Sequence, residues 1–168
     1  QVLGIGGVGN IGFNEPGSQA SSSTRLILLD PNSRKEAIHF FGSIDKVPAG
    51  AITMGINTIL KAQRIALLAF GEHKANIIKT IVEGQMSDQY PASFLQMHTN
   101  TTVYLDINSA SALTRISCPW LVTSCEWNDK LTRRAIVWLC QKTGKPILKL
   151  TNKDYNENGL SELVALYG

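Results

Sequence analysis

The chain has 168 residues, of which 43% are hydrophobic and 17% are charged, and its formal net charge is +3. This composition is typical of a soluble globular domain with a core of its own, and it excludes a disordered chain. The basic residues are scattered, which argues against a nucleic-acid partner. No apolar run approaches the roughly 20 residues of a membrane helix, so no membrane partner is expected.

Seven short apolar runs along the chain are predicted to be strands. They cover residues 2–5, 26–29, 51–54, 65–70, 103–105, 120–122 and 146–150. The run at 65–70 is apolar throughout, which is typical of a strand that is covered on both faces.

Five segments between these runs have the spacing of helices. They cover residues 33–41, 57–63, 74–83, 129–143 and 160–167. Ser33 is predicted to cap the first helix and Gly144 to stop the fourth. Because strands alternate with helices, right-handed crossovers and a largely parallel sheet are expected. We therefore predict an α/β fold of three layers, with helices on both faces of the sheet.

The three cysteines, Cys118, Cys125 and Cys140, are an odd number and form no CxxC motif. This pattern argues against a disulfide framework and against a zinc site, so no metal is expected. We expect buried free thiols in a reducing cytoplasm. The chain has no secretory signal and starts inside a strand pattern at Gln1, so we expect further residues upstream.

The segment at residues 4–9, GIGGVG, fits the GxGxxG pattern, and Asp30 follows at the end of the next predicted strand. Together they suggest a dinucleotide-binding fingerprint. The fingerprint requires a helix to open at its last glycine, but Gly12, Pro16 and Gly17 prevent a regular helix there. A nicotinamide cofactor, and with it an oxidoreductase, is therefore disfavoured. So many glycines still indicate that the backbone approaches a ligand closely.

An ordered series of segments carries a family resemblance. It comprises GIGGVGNIGFNEPGS at 4–18, TR at 24–25, VP at 47–48, AITMGI at 51–56, GEHKA at 71–75, VEG at 82–84 and PASFLQMH at 91–98. This series resembles the glucosamine-6-phosphate deaminase/isomerase family over about residues 1–113. The related 6-phosphogluconolactonases share the glycine-rich turn but do not carry FNEP.

The resemblance implies a deaminase/ribose-phosphate-isomerase/CoA-transferase-like fold that is incomplete at its N-terminus. It also implies conversion of glucosamine-6-phosphate to fructose-6-phosphate and ammonia, without a cofactor. Lys74 matches the family's phosphate-binding lysine, and its place at a helix start suits an anion. Glu15 matches the glutamate that assists the ring-opening histidine, and Gly4 and Gly6 match glycines that line the sugar pocket. The alternatives are a solvated lysine and a carboxylate on a surface loop.

Several positions depart from the family pattern. Val8 and Asn10 stand where the family has an aspartate and the ring-opening histidine, and neither can transfer a proton near neutral pH. His39 stands where the family has a phosphate-binding arginine, although it also reads as an ordinary helix residue beside two phenylalanines. Ser18 and Arg25 match the family's allosteric site.

Three further expectations follow from the same resemblance. Ile27 replaces a basic position of the allosteric site, which argues against regulation by that route. The family's general base lies in an upstream segment that is absent here, so the upstream half of the same domain is an expected partner. The isolated chain should therefore be inactive.

Residues 114–168 extend past the family pattern and are predicted to form an α/β extension. We expect this extension to pack on residues 1–113 or on another part of a longer polypeptide, with its tryptophans in a core. Two functions remain open for the whole protein. One is a deaminase/isomerase, and the other is a non-catalytic or altered-specificity domain that binds sugar phosphates. Both take a phosphorylated amino sugar as ligand, and a homo-oligomer is left open.

Overall fold

A computed structural model of the protein describes residues 1–167. The chain divides into two compact units, Gln1–Ala112 and the residues from Leu113 onward. The first unit contains every strand, and the described part of the second unit is helical.

Five strands and seven α-helices make up the regular structure of the described residues. The strands are β1 (Val2–Gly4), β2 (Arg25–Leu28), β3 (Gly50–Thr53), β4 (Ile65–Ala69) and β5 (Thr101–Leu105). The helices are α1 (Pro31–Phe41), α2 (Ile56–Leu60), α3 (Ala75–Glu83), α4 (Thr114–Ser117), α5 (Asp129–Thr143), α6 (Asn152–Glu157) and α7 (Ser161–Tyr167).

The main sheet is parallel, with β4 between β1 and β5. Ile65 and Leu67 of β4 are fully buried on one face, and Leu67 lines a pocket together with Ile81 of α3. Because consecutive strand residues point to opposite faces, this face forms the core of the first unit. The predicted α/β fold with a largely parallel sheet and flanking helices is confirmed.

The opposite face of the parallel sheet is partly exposed. Gly4, Leu68 and Tyr104 are adjacent across β1, β4 and β5, and Leu68 and Tyr104 are 37% and 44% exposed. Val2 of β1 is 67% exposed. The expectation that the run at 65–70 is buried on both faces is therefore wrong for the described residues.

The strands β2 and β3 form a separate antiparallel ribbon. Leu26 pairs with Ile52 and Leu28 pairs with Gly50. Both strands were predicted, but they do not extend the parallel sheet. The apolar side chains Leu26 and Ile52 lie on the exposed face of the ribbon.

Helix α1 begins two residues before the predicted cap. The Asp30 side chain accepts a hydrogen bond from the Asn32 N–H at 2.8 Å, and Pro31 occupies the first helical position. Proline suits this position because its missing N–H would have no intrahelical partner. The prediction of Ser33 as the cap is wrong, since its hydroxyl instead faces Glu15.

The second unit packs around Trp120, Ala135, Leu139, Leu160 and Leu163. The other two tryptophans, Trp127 and Trp138, pack against this cluster, so the aromatic residues belong to a core as expected. The predicted helix at 129–143 is confirmed. Asn128 caps it and Gly144 ends it in the left-handed conformation.

Two predicted strands in the second unit are wrong. Residues 119–121 and 147–149 form short 3-10 helices, each with a proline at or next to its start. Helix α6 was not predicted at all. The three cysteines are free and half-buried, and burial, followed by the charge of Glu162, raises the pKa of the Cys125 thiol.

Candidate functional site

The glycine-rich loop, residues 4–18, leaves the C-terminal end of β1 and folds into successive tight turns. The Gly6 N–H donates to the Asn10 carbonyl at 2.9 Å, and the Gly9 N–H donates to the Gly6 carbonyl at 3.0 Å. Gly9 has φ +80°, and a Cβ there would lie 3.0 Å from the Ile77 side chain. No helix begins at Gly9, as the reading against a dinucleotide fingerprint predicted.

Asn14 holds the loop in place from a fully buried position. Its Nδ2 donates to the carbonyls of Ile11 at 3.0 Å and Met54 at 2.7 Å, and its Oδ1 accepts from Arg25 at 2.9 Å. Arg25 also donates to the Ser18 hydroxyl at 3.0 Å. The asparagine of FNEP is therefore structural, a role that its place in the motif did not reveal.

Glu15 faces helix α1. Its carboxylate accepts a 2.5 Å hydrogen bond from the Ser33 hydroxyl. Val8, Asn10 and Glu15 line one pocket of about 220 Å³, together with Asp30 and other residues of the α1 N-terminus. Ser33 of α1 is therefore a hydrogen-bond partner of Glu15 that the sequence did not indicate.

Asn10 lies directly over Gly6. A Cβ at Gly6 would overlap the Asn10 side-chain amide, and the Asn10 Nδ2 lies 3.4 Å from the Gly12 carbonyl oxygen. Val8 is 50% exposed at the pocket wall. Neither side chain titrates near neutral pH, so Val8 and Asn10 shape the pocket and cannot transfer a proton.

Lys74 reaches back to the glycine-rich loop. Its Nζ donates at 2.9 Å to the carbonyl of Ile5, the residue between Gly4 and Gly6. An ammonium has three N–H donors, so donors remain for an anion. Lys74 ends a 3-10 turn, Glu72–Lys74, that follows Gly71 at φ +90°.

Asp106 lies where β5 ends, next to the turn that carries Lys74. Its carboxylate accepts from the Gly71 N–H at 3.0 and 3.2 Å and from the Ser109 N–H at 2.8 Å. The buried Ser109 hydroxyl donates to the Ala69 carbonyl at 2.8 Å. Hydrogen bonding by Ser109, and then by Gly71, lowers the pKa of the Asp106 carboxyl. Sequence reasoning missed both residues, although an Asp-x-x-Ser turn after a strand was visible.

The remaining candidates are Ser18, Arg25 and His39. Ser18 and Arg25 line a second pocket of about 500 Å³, in which Glu15 also takes part. His39 is exposed on α1, with Nδ1 2.6 Å from the Glu36 carbonyl oxygen and its ring 3.7 Å from that of Phe40. His39 does not belong to the residues that line either pocket.

Two further observations concern the described residues as a whole. Among residues 1–167, no three His, Cys, Asp or Glu side chains are grouped so that they could hold a metal ion. Within the same residues, no helix combines the length and apolar character needed to cross a membrane.

Residues 26–104 match the family model described as glucosamine-6-phosphate isomerases/6-phosphogluconolactonase. A glucosamine-6-phosphate deaminase-like protein of Bacteroides thetaiotaomicron is 66% identical over 99% of this chain, which spans 25% of that protein. The glucosamine-6-phosphate deaminase of Corynebacterium urealyticum is 48% identical over 67% of this chain and 44% of its own length.

A solved structure of a monomeric glucosamine-6-phosphate deaminase gives the same result in three dimensions. It superposes with a TM-score of 0.64 at 46% identity, over 67% of this chain and 46% of the deaminase. The chain thus spans about half the length of these deaminases and a quarter of the Bacteroides protein. The Bacteroides match includes nearly all of the second unit as well.

Proposed function

Because this chain belongs to the family of glucosamine-6-phosphate isomerases and 6-phosphogluconolactonases, we propose that it is the sugar-phosphate-binding portion of a glucosamine-6-phosphate deaminase-like protein. The observation that carries the proposal is the contact of Lys74 Nζ with the Ile5 carbonyl at 2.9 Å. This contact brings a cation to the glycine-rich loop at the C-terminal edge of a parallel sheet, the edge where open α/β folds bind their ligands.

The proposed ligand follows from the chemistry of this edge. A sugar phosphate offers a dianion for Lys74 and hydroxyls for the backbone around Gly4 and Gly6. A charge-assisted hydrogen bond to phosphate is stronger than a neutral one. A Cβ at Gly4 would meet no atom within 4 Å, so the loop has open space above it for a sugar ring. Glu15, held by Ser33, would face the ring from the neighbouring pocket.

We propose that the catalytic protein is longer than this chain. In the family reaction, water enters and ammonia leaves as glucosamine-6-phosphate becomes fructose-6-phosphate, and a proton moves between adjacent carbons. Among the groups that line the site, no candidate base for that proton transfer is evident beyond Glu15 and its acidic neighbours on α1. The matched deaminases are about twice as long as their match to this chain. The remaining half of the domain is the proposed source of the base and the cover for the exposed sheet face.

Release of ammonia and fructose-6-phosphate from glucosamine-6-phosphate tests this function. The assay needs a longer polypeptide that joins this chain to the rest of the domain, and it should show turnover. The isolated chain should bind the sugar phosphate without turnover. Turnover by the isolated chain would contradict the proposed division of the site.

A non-catalytic sugar-phosphate-binding domain is the second candidate. It is favoured by the position of Asn10 over Gly6 and by Val8 at the pocket wall, because neither can open a sugar ring. Binding without turnover in the longer polypeptide would support this candidate over the first. Activity gained by the paired changes Val8→Asp and Asn10→His would assign the loss to these two positions.

Lys74→Ala tests the phosphate anchor directly. We expect glucosamine-6-phosphate binding to weaken by about 1.5–3 kcal/mol, the scale of a hydrogen bond to a charged group. Titration calorimetry with the chain measures the change. Lys79→Ala is the matched control, since it removes the same charge from an exposed position of the neighbouring helix α3. Equal affinities of the Lys74 variant and the parent chain would refute the assignment.

We further propose a cytoplasmic protein, on the basis of its three free cysteines. The deaminase reaction makes it a hydrolase by class if the first candidate is correct. Its oligomeric state is open to direct measurement in the longer polypeptide.

A further inference from the structure

We infer that Asp106 is a positioning residue, which sets the place of the Lys74 ammonium by fixing the turn at Gly71. This inference rests on the proposed function of Lys74 as the phosphate anchor. It adds to the site a residue that directly follows strand β5.

A continuous series of hydrogen bonds connects Asp106 to Lys74 through Gly71. The Asp106 carboxylate holds the Gly71 N–H at 3.0 and 3.2 Å. The Gly71 carbonyl in turn accepts from the Lys74 backbone N–H at 3.1 Å. Lys74 is therefore held at its backbone through Gly71 and at its Nζ through Ile5. A shift of Gly71 would move one end of the lysine while the other end stays on the glycine-rich loop.

Gly71 needs a fixed hydrogen-bond partner because its backbone is free to change conformation. Gly71 has φ +90°, a conformation that glycine adopts easily because it has no side chain to restrict its backbone. A Cβ at this position would lie 2.9 Å from the His73 ring. The backbone freedom of Gly71 must therefore be removed by other groups, and the Asp106 carboxylate is the charged acceptor for its N–H.

Asp106 is itself held in place by hydrogen bonds with Ser109. Its Oδ1 accepts the Ser109 N–H at 2.8 Å, and its own N–H donates to the Ser109 hydroxyl at 3.1 Å. That hydroxyl also donates to the carbonyl of Ala69, the last residue of β4. Ser109 is fully buried. The ends of β4 and β5 are thus joined, so the carboxylate holds Gly71 at a defined position on the sheet edge.

A double-mutant cycle tests the inference on the whole chain, with glucosamine-6-phosphate as the titrated ligand. Asp106→Asn should weaken binding roughly three- to tenfold, less than loss of a direct charged contact because the effect passes through Gly71. In a Lys74→Ala background, the same change should have no effect on affinity. Asp45→Asn is the matched control, because it removes the same charge from an exposed position.

The outcomes separate this inference from the proposed function. A Lys74→Ala variant with unchanged affinity would overturn both. An effect of Asp106→Asn that is absent, or equal in the two backgrounds, would overturn only the role of Asp106, since a merely structural residue acts independently of Lys74. If Asp106→Asn does not fold, Asp106→Glu keeps the charge and displaces the carboxylate by one methylene. The same cycle and the same criteria then apply.

Discussion

Gly55 lies where the neighbouring backbone leaves no room for a side chain. A Cβ at this position would overlap the carbonyl oxygens of both Ser22 and Ser23. The same segment receives the start of α2, because the Asn57 N–H donates to the Ser22 carbonyl at 2.9 Å and the Ile56 N–H donates to the Ser22 hydroxyl at 3.0 Å. One glycine therefore lets the segment at residues 22–23 pack against the start of helix α2.

Gly55→Ala should lower the free energy of unfolding by about 1–3 kcal/mol, because backbone atoms cannot move aside as a flexible side chain can. Urea unfolding followed by circular dichroism measures the change. Gly7→Ala is the matched control, since a Cβ there meets nothing within 4 Å and the φ of Gly7 is not positive. Equal midpoints for the two variants would show that residues 22–23 yield to the added methyl group.

For individual residues, the sequence indicates the chemistry of a side chain but not its contacts. Their residue types alone indicate that Val8 and Asn10 cannot transfer a proton near neutral pH. Two contacts in the site depend on how the chain folds in space and could not be predicted. Asn10 lies over Gly6, and Ser33 is a hydrogen-bond partner of Glu15. Asp106 and Ser109 escaped prediction for the same reason, since their partners are on β4 and in the turn at Gly71.

Helix α6 begins with a capping box. The Thr151 hydroxyl and the Asp154 side chain satisfy each other's backbone N–H groups. Lys145 donates to the same carboxylate at 2.6 Å, which connects the end of α5 to the start of α6. The bond from Lys145, followed by those from Thr151, lowers the pKa of Asp154 to about 2.

This pKa predicts a loss of stability in acid. Asp154 has an ordinary value of 3.8 and a folded value of about 2, so its stabilising contribution is complete above pH 4 and disappears as the pH falls toward 2. Thermal unfolding of the chain between pH 5 and pH 2 should show this decline, and Asp154→Asn should make the decline shallower. Glu157→Gln is the control, because Glu157 pairs with Lys153 at an exposed position. Parallel pH profiles for Asp154→Asn and the parent chain would contradict the assignment.

Long helices with clear capping or stop residues could be predicted more accurately than short helices and strands. Helix α5 was predicted to the residue, because a stripe of apolar residues over fifteen positions and the Gly144 stop both indicated it. The apolar runs at 120–122 and 146–150 are too short for periodicity to separate a strand from a single 3-10 turn. Packing of Trp120 into the helical core decided the first of these in favour of the turn.

For the molecule as a whole, the fold class could be predicted from the sequence, but the pairing of the strands could be predicted only in part. Alternating strands and helices implied a parallel sheet, and β1, β4 and β5 form one. An apolar run carries no information about its neighbour, so the antiparallel pairing of β2 with β3 could not be predicted. The division near residue 113 coincides with the point where the deaminase pattern ends.

The exposed face of the parallel sheet has a consequence for handling this chain in the laboratory. Val2, Leu68 and Tyr104 expose apolar surface beside the edge strands β1 and β5, a combination that promotes edge-to-edge and face-to-face sticking. Sedimentation velocity should therefore show association that grows with concentration. Leu68→Lys should reduce this association more than Leu148→Lys, which alters an exposed leucine of the second unit that lies outside the sheet. Colloidal behaviour, rather than unfolding, would then limit the yield of the chain and the concentrations at which its ligand can be titrated.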